Sequence, residues 1–115
     1  MAELVVRNAT RGFVLAERAR VAKTFLSRGV GLLGAKNAGG GLFIEPCSSV
    51  HTMFMRFAID VIFLDPGDAV LAVYAPLAPW RATAWVRGAK RVLELDAGGA
   101  KGTQVGDRLE CEPCG

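Results

Sequence analysis

The chain has 115 residues, of which 51% are hydrophobic and 22% charged, with a formal net charge of +3. That length fits a single domain, 1–115, and that composition suits a packed globule and rules against disorder. No run approaches the roughly 20 uninterrupted apolar residues of a membrane-spanning helix, because Arg56 and Asp60 break the longest one, residues 53–64. Glu3, Arg7 and Arg11 interrupt any charged-then-apolar signal layout, so the expectation is a soluble, cytoplasmic protein with no membrane segment.

The basic excess lies in the first 40 residues, on Arg7, Arg11, Arg18, Arg20, Lys23, Arg28 and Lys36. The aromatics lie elsewhere, chiefly at Phe54, Phe57, Phe63, Trp80 and Trp85. Nucleic-acid binders usually interleave the two, so nucleic acid is not the expected partner. A solvated basic helix face accounts for the charge.

In chain order, Leu4-Val5-Val6 and Phe13-Val14-Leu15 are β-prone runs around the turn residues Asn8 to Gly12, which reads as a hairpin. From Arg18 to Val30 the apolar residues Ala22, Phe25, Leu26, Gly29 and Val30 recur at three-to-four spacing and predict one amphipathic helix. Gly29, Gly31 and Gly34 make its continuation costly. Gly39-Gly40-Gly41 opens into a strand, Leu42-Phe43-Ile44, and not into a helix, so it is a turn and not a phosphate cradle. Ile59 to Leu64 and Ala69 to Tyr74 flank Asp65-Pro66-Gly67-Asp68, a hairpin with a type II turn, apolar on both faces and therefore central in its sheet. Pro76 and Pro79 end it, residues 82–90 form a long loop around Trp85 and Gly88, and Arg91 to Leu95 and Asp107 to Cys111 are the last strands. The fold class expected is mainly β, a compact barrel or sandwich with one helix in its N-terminal half and a short flexible tail at 111–115.

The order of several motifs resembles the domain-of-unknown-function 192 family, also called uncharacterised protein family 0127. They are Gly31-Leu32-Leu33-Gly34, Gly41-Leu42-Phe43, residues 47–57 (CSSVHTMFMRF), residues 59–65 (IDVIFLD), Gly88-Ala89, Val92-Leu93-Glu94-Leu95, Ala97-Gly98 and Gly106-Asp107. The resemblance implies a compact β-barrel-like or sandwich fold with one packed helix, and no established activity. Many relatives begin with an export or lipoprotein signal, which this sequence does not match. Cys111-Glu112-Pro113-Cys114 lies beyond the shared segment.

Three constellations could carry chemistry. The single histidine, His51, would share a strand face with Ser49, Met53 and Met55. With Trp80 and Glu94, and with Arg56 and Asp60 setting polarity, His51, Met53 and Met55 would line a pocket at one end of the barrel. That makes a small-molecule- or protein-binding accessory domain the first reading, with no cofactor. An enzyme on a small polar substrate, hydrolase-like, using His51 with Asp60 or Glu94 as general base, is the second. Cys47 and Ser48 or Ser49 lie near His51, but on a strand Cys47 is roughly 13 Å from it, and only a bend after Pro46 would bring the two together. The third is a zinc-stabilised domain, because Cys47, His51, Cys111 and Cys114 supply three thiols and an imidazole. Asp65 starts the turn, and Trp80 and Trp85 with Arg81 and Arg87 have the composition of a ligand rim or protein contact.

Overall fold

The computed structural model describes residues 3–22 and 40–114. Seven strands follow one another: β1 (Glu3–Asn8), β2 (Phe13–Ala22), β3 (Leu42–Ile44), β4 (Ile59–Leu64), β5 (Val70–Leu77), β6 (Arg91–Asp96) and β7 (Leu109–Pro113). They form one sheet in the order β5-β4-β6-β3-β2-β1-β7, curled as a half-barrel. Its two edge strands approach at one corner, where Ala69 and Arg108 form an isolated antiparallel bridge.

β-Branched and aromatic residues put β4 at the centre of the sheet's second half, and all six of its residues are buried. Alternation sends Ile62 and Leu64 to the concave cluster with Val6, Phe43, Leu93, Leu95 and Leu109. Ile59, Val61 and Phe63 go to the opposite face, with Leu42, Val50, Met55, Leu77 and Val92. The β4–β5 hairpin occurs, but only β4 is central: β5 is an edge strand, and the turn is not type II. Gly67 does not take a positive φ; Asp68 does, at 64°. The Asp65 carboxylate organises the turn by accepting the Gly67 and Ala69 amides at 2.8 and 2.9 Å.

The expected helix over 18–30 is not what its first residues form. Arg18 to Ala22 belong to β2, Lys23 to Val30 lie outside the described residues, and no helix occurs among the described ones. The physical reason is in the register. Leu4 pairs with Ala19, Val6 with Ala16 and Arg7 with Val14, so β2 carries extra residues at two places. Each bulge shifts the two-residue alternation by one. Leu15 and Ala16 are consequently both buried, Glu17 and Arg18 both exposed, and Ala19 buried again, a spacing that imitates a helix.

The C-terminal residues, expected as a flexible tail, complete the sheet: Val6 pairs with Cys111, Val5 with Glu112 and Leu4 with Pro113. The Cys114 amide still donates to the Glu3 carbonyl at 3.0 Å. The last strand, expected over residues 107–111, thus has the expected length but lies two residues further along. At Gly41, φ is +112°, and a Cβ there would come within 3.3 Å of Leu95 and Ala16 side-chain carbons. The glycine run before β3 thus serves close packing.

A buried polar cluster ties the β1–β2 turn to the segment before β7. The Asn8 amide donates to Thr103 Oγ1 and Asp107 Oδ2, both at 3.0 Å, and its Oδ1 accepts the Arg11 amide. Asp107 also accepts Arg11 Nε at 2.6 Å and the Gln104 amide at 3.0 Å. Hydrogen bonds from Arg11, Gln104 and Asn8 hold the Asp107 carboxyl down at about 2. A depressed folded-state pKa adds stability above the unfolded value of about 3.9, which is lost as pH falls toward 2. Asp107→Asn should therefore flatten the acid limb of a stability–pH curve between those values, and an unchanged limb would contradict this account.

Candidate functional site

The sequence placed Met53 and Met55 on one strand face with His51, but this segment is no continuous strand. Residues 46–58 and 78–90 cross the convex face of the sheet as two mutually bonded segments. The Val86 amide donates to the Ser48 carbonyl at 2.7 Å, the Thr83 amide to Val50 at 2.8 Å and the Thr52 amide to Arg81 at 2.8 Å. His51 forms an isolated bridge with Ala82.

Thr52 is the pin of this arrangement. It is fully buried, its hydroxyl donating to the Ala78 carbonyl at 2.6 Å and accepting the Arg81 amide at 2.9 Å. Its carbonyl accepts both the Trp80 amide (2.9 Å) and the Met55 amide (3.1 Å). Pinned this way, the two segments turn sharply at Phe54 and Trp80, which take φ values of 65° and 63°. Bulky residues rarely adopt that left-handed conformation, which costs on the order of 1–3 kcal/mol and persists only where surrounding bonds impose it. The two rings meet at 4.7 Å between centroids, tilted by 59°.

This corner faces solvent. Phe54 is 68% exposed, Trp80 53%, Met53 37% and, further along the second segment, Trp85 76%. Arg56, Arg81, Arg87 and Lys90 are exposed on the same two segments, and His51 is exposed beside them. Neither 46–58 nor 78–90 contains an aspartate or glutamate.

The seven residues expected to line a pocket are dispersed. His51, Met53, Arg56 and Trp80 are exposed on the corner, whereas Met55 points inward to the convex cluster because Phe54 reverses the chain direction. Asp60 is buried on the concave side of β4, pairing in register with Leu95. Its Oδ2 accepts the Gly98 and Ala100 amides at 3.0 and 2.9 Å, so its partners are backbone groups and not Arg56. Glu94 is buried on the opposite side of the sheet, in register with Leu42 and Val61. Burial pushes its carboxyl up to about 7. Among the described residues no hydrogen bond joins His51 to Asp60 or Glu94.

The thiols are dispersed as well. Cys47 packs against the convex cluster and donates to the Ser49 carbonyl at 3.0 Å. Cys111 packs against the concave cluster, and Cys114 donates to the Glu17 carbonyl at 3.2 Å. Burial pushes the Cys111 thiol up to about 11, which makes it a poor ligand or nucleophile. No group of three or more His, Cys, Asp or Glu side chains with metal-binding geometry occurs among the described residues. A groove of about 450 Å³ lies where β2 and the end of β6 diverge, with Glu17, Arg18, Gly41, Asp96 and Gly99 among its walls and none of the seven expected residues.

Sequence reasoning missed Phe54 and Thr52. Strict alternation through residues 49–55 put both on the face away from His51, and nothing local signals a left-handed phenylalanine. Trp80 and Trp85, expected as rim or contact residues from their type alone, are both exposed.

Fold and surface together define a small, mainly β domain with a rigid aromatic corner. The chain belongs to the DUF192 family, Uncharacterized ACR, which matches residues 6–111. It is 38% identical over 110 residues to a UPF0127 protein of Pyrococcus furiosus, covering 90% of this chain and 94% of that protein. It is 34% identical over 113 residues to a UPF0127 protein of Thermococcus sibiricus, covering 91% and 73%. The fold is shared with a Novosphingobium aromaticivorans protein of unknown function (TM-score 0.76, 21% identity, 94% of this chain and 83% of that one). A candidate transcription regulator of Sinorhizobium meliloti has the same TM-score and identity, over 96% and 92%.

Proposed function

We propose that this chain is a non-enzymatic binding domain that docks a larger surface through the Phe54–Trp80 corner. The observation supporting this is the pairing of two exposed aromatics, both held in left-handed backbone by the buried Thr52. Strained backbone that presents apolar side chains to water opposes folding and solubility alike, and such outliers cluster at binding sites. A rigid aromatic pair loses little conformational freedom on contact, which favours docking. The dispersal of His51, Asp60 and Glu94 favours this reading over general-base chemistry, for which acid and base must lie within hydrogen-bond reach.

The test is site-specific photo-crosslinking in cells. Benzoyl-phenylalanine in place of Phe54 should give adducts, to lipid or to protein, that Trp80→Ala suppresses. The same group in place of Val105, another exposed apolar residue (66%) on a distant turn, should give none. Equal adducts from both positions, or none from either, would remove the reading.

A further inference from the structure

We infer that the surface docked by this corner is an anionic phospholipid membrane; the inference rests on the docking reading above and names its partner. Among the described residues five large hydrophobics are exposed, and four of them, Met53, Phe54, Trp80 and Trp85, lie on the two paired segments. The same segments carry Arg56, Arg81, Arg87 and Lys90 and no acidic side chain. A protein partner meets either sign of charge around its apolar centre. Cations alone around aromatic tips match a plane that carries only negative charge.

The backbone supports the same conclusion. Entry into the boundary between headgroups and acyl chains penalises unpaired N–H and C=O groups. Here the two segments satisfy one another from Ser48–Val86 through Val50–Thr83 to Thr52–Arg81, with the Thr52 hydroxyl taking up the Ala78 carbonyl. Tryptophan rings settle at headgroup depth, apolar body inward and N–H outward. Phe54 and Met53 would reach slightly deeper, and the arginines would stay at the phosphates. Attachment by a few side chains at this depth is peripheral and reversible.

Trp80 and Trp85 are the chain's two tryptophans, so intrinsic fluorescence reads the corner directly. The full chain is titrated with phosphatidylcholine vesicles, with and without about one-third phosphatidylserine, and pelleted with them. A blue shift and co-sedimentation are expected with the anionic vesicles only, and both should fade in high salt. Phe54→Ser should weaken partitioning strongly. Arg81→Gln and Arg87→Gln should each weaken it roughly fivefold, the thermal unfolding of each variant showing that it folds. Absence of binding to anionic vesicles, equal binding to neutral ones, or indifference to Phe54→Ser would each overturn the inference. Protein adducts at position 54 without vesicle binding would retain the docking reading and replace the lipid by a protein. Quenching by a single-stranded oligonucleotide without vesicle binding would replace it by nucleic acid.

Discussion

Glu94→Gln should stabilise the protein by about 3 kcal/mol at pH 8 and leave it nearly unchanged at pH 4. The carboxyl sits on β6 between Leu42 of β3 and Val61 of β4, almost without solvent contact. Burial raises it from an ordinary 4.5 to about 7, and desolvation is the cause. A raised folded-state pKa means that the native protein holds its proton more tightly than the unfolded chain. The associated stability is fully present below about 4.5 and is lost as pH rises through 7. A rise of one in pKa corresponds to about 1.4 kcal/mol, so the rise at Glu94 separates the two ends of the pH range by about 3 kcal/mol. Glutamine keeps the shape and removes the titration, so the difference between variant and wild type isolates this one group. Asp107 titrates with the opposite sign and below pH 4, and does not overlap this window. Urea midpoints of both proteins at pH 4, 6 and 8 provide the check, and a pH-independent difference would show that Glu94 is charged and otherwise stabilised.

Glu94 also marks what the sequence could and could not disclose. The strand Arg91 to Leu95 was legible from its β-branched and apolar residues, and so were the β4–β5 hairpin and the family's motif order, whereas the edge position of β5 was not. The side of the sheet taken by each carboxylate was legible in principle, since Asp60 and Glu94 follow strict alternation. Which strands pair was not, and without the order β5-β4-β6-β3 a common pocket for them looked plausible. The β2 bulges hid a strand inside helix-like spacing, because propensity and periodicity report only local geometry while bulges answer to the partner strand. The aromatic corner was hidden for a related reason. Its shape comes from Thr52 bonding to Ala78 and Arg81, 26 and 29 residues away, which no local pattern encodes.

Arg91→Ala is expected to cost about 3 kcal/mol, because this one side chain joins three parts of the sheet at its corner. Its Nε and Nη2 bind Asp68 at 3.0, 2.8 and 2.9 Å, a two-pronged contact with the β4–β5 turn. Nη1 lies 3.7 Å from the Glu45 carboxylate just beyond β3, and the guanidinium carbon stands 4.2 Å from the centre of the Phe43 ring. The Arg91 side chain is only 15% exposed, so these contacts are not surface pairs weakened by water. Truncation leaves two half-buried carboxylates without their cation and uncovers a face of Phe43, a fully buried core ring. Partly buried carboxylates left uncompensated are costly, so loss of the arginine costs more than the pair itself contributed. Lysine restores the charge but neither the two-pronged bond nor the flat contact with the ring, so Arg91→Lys should recover less than half of the loss. In a double-mutant cycle, Asp68→Ala should cost much less in the Arg91→Ala background than in the wild type. Additive costs would mean that the Asp68 contact contributes nothing and that Arg91 acts through Phe43 and Glu45.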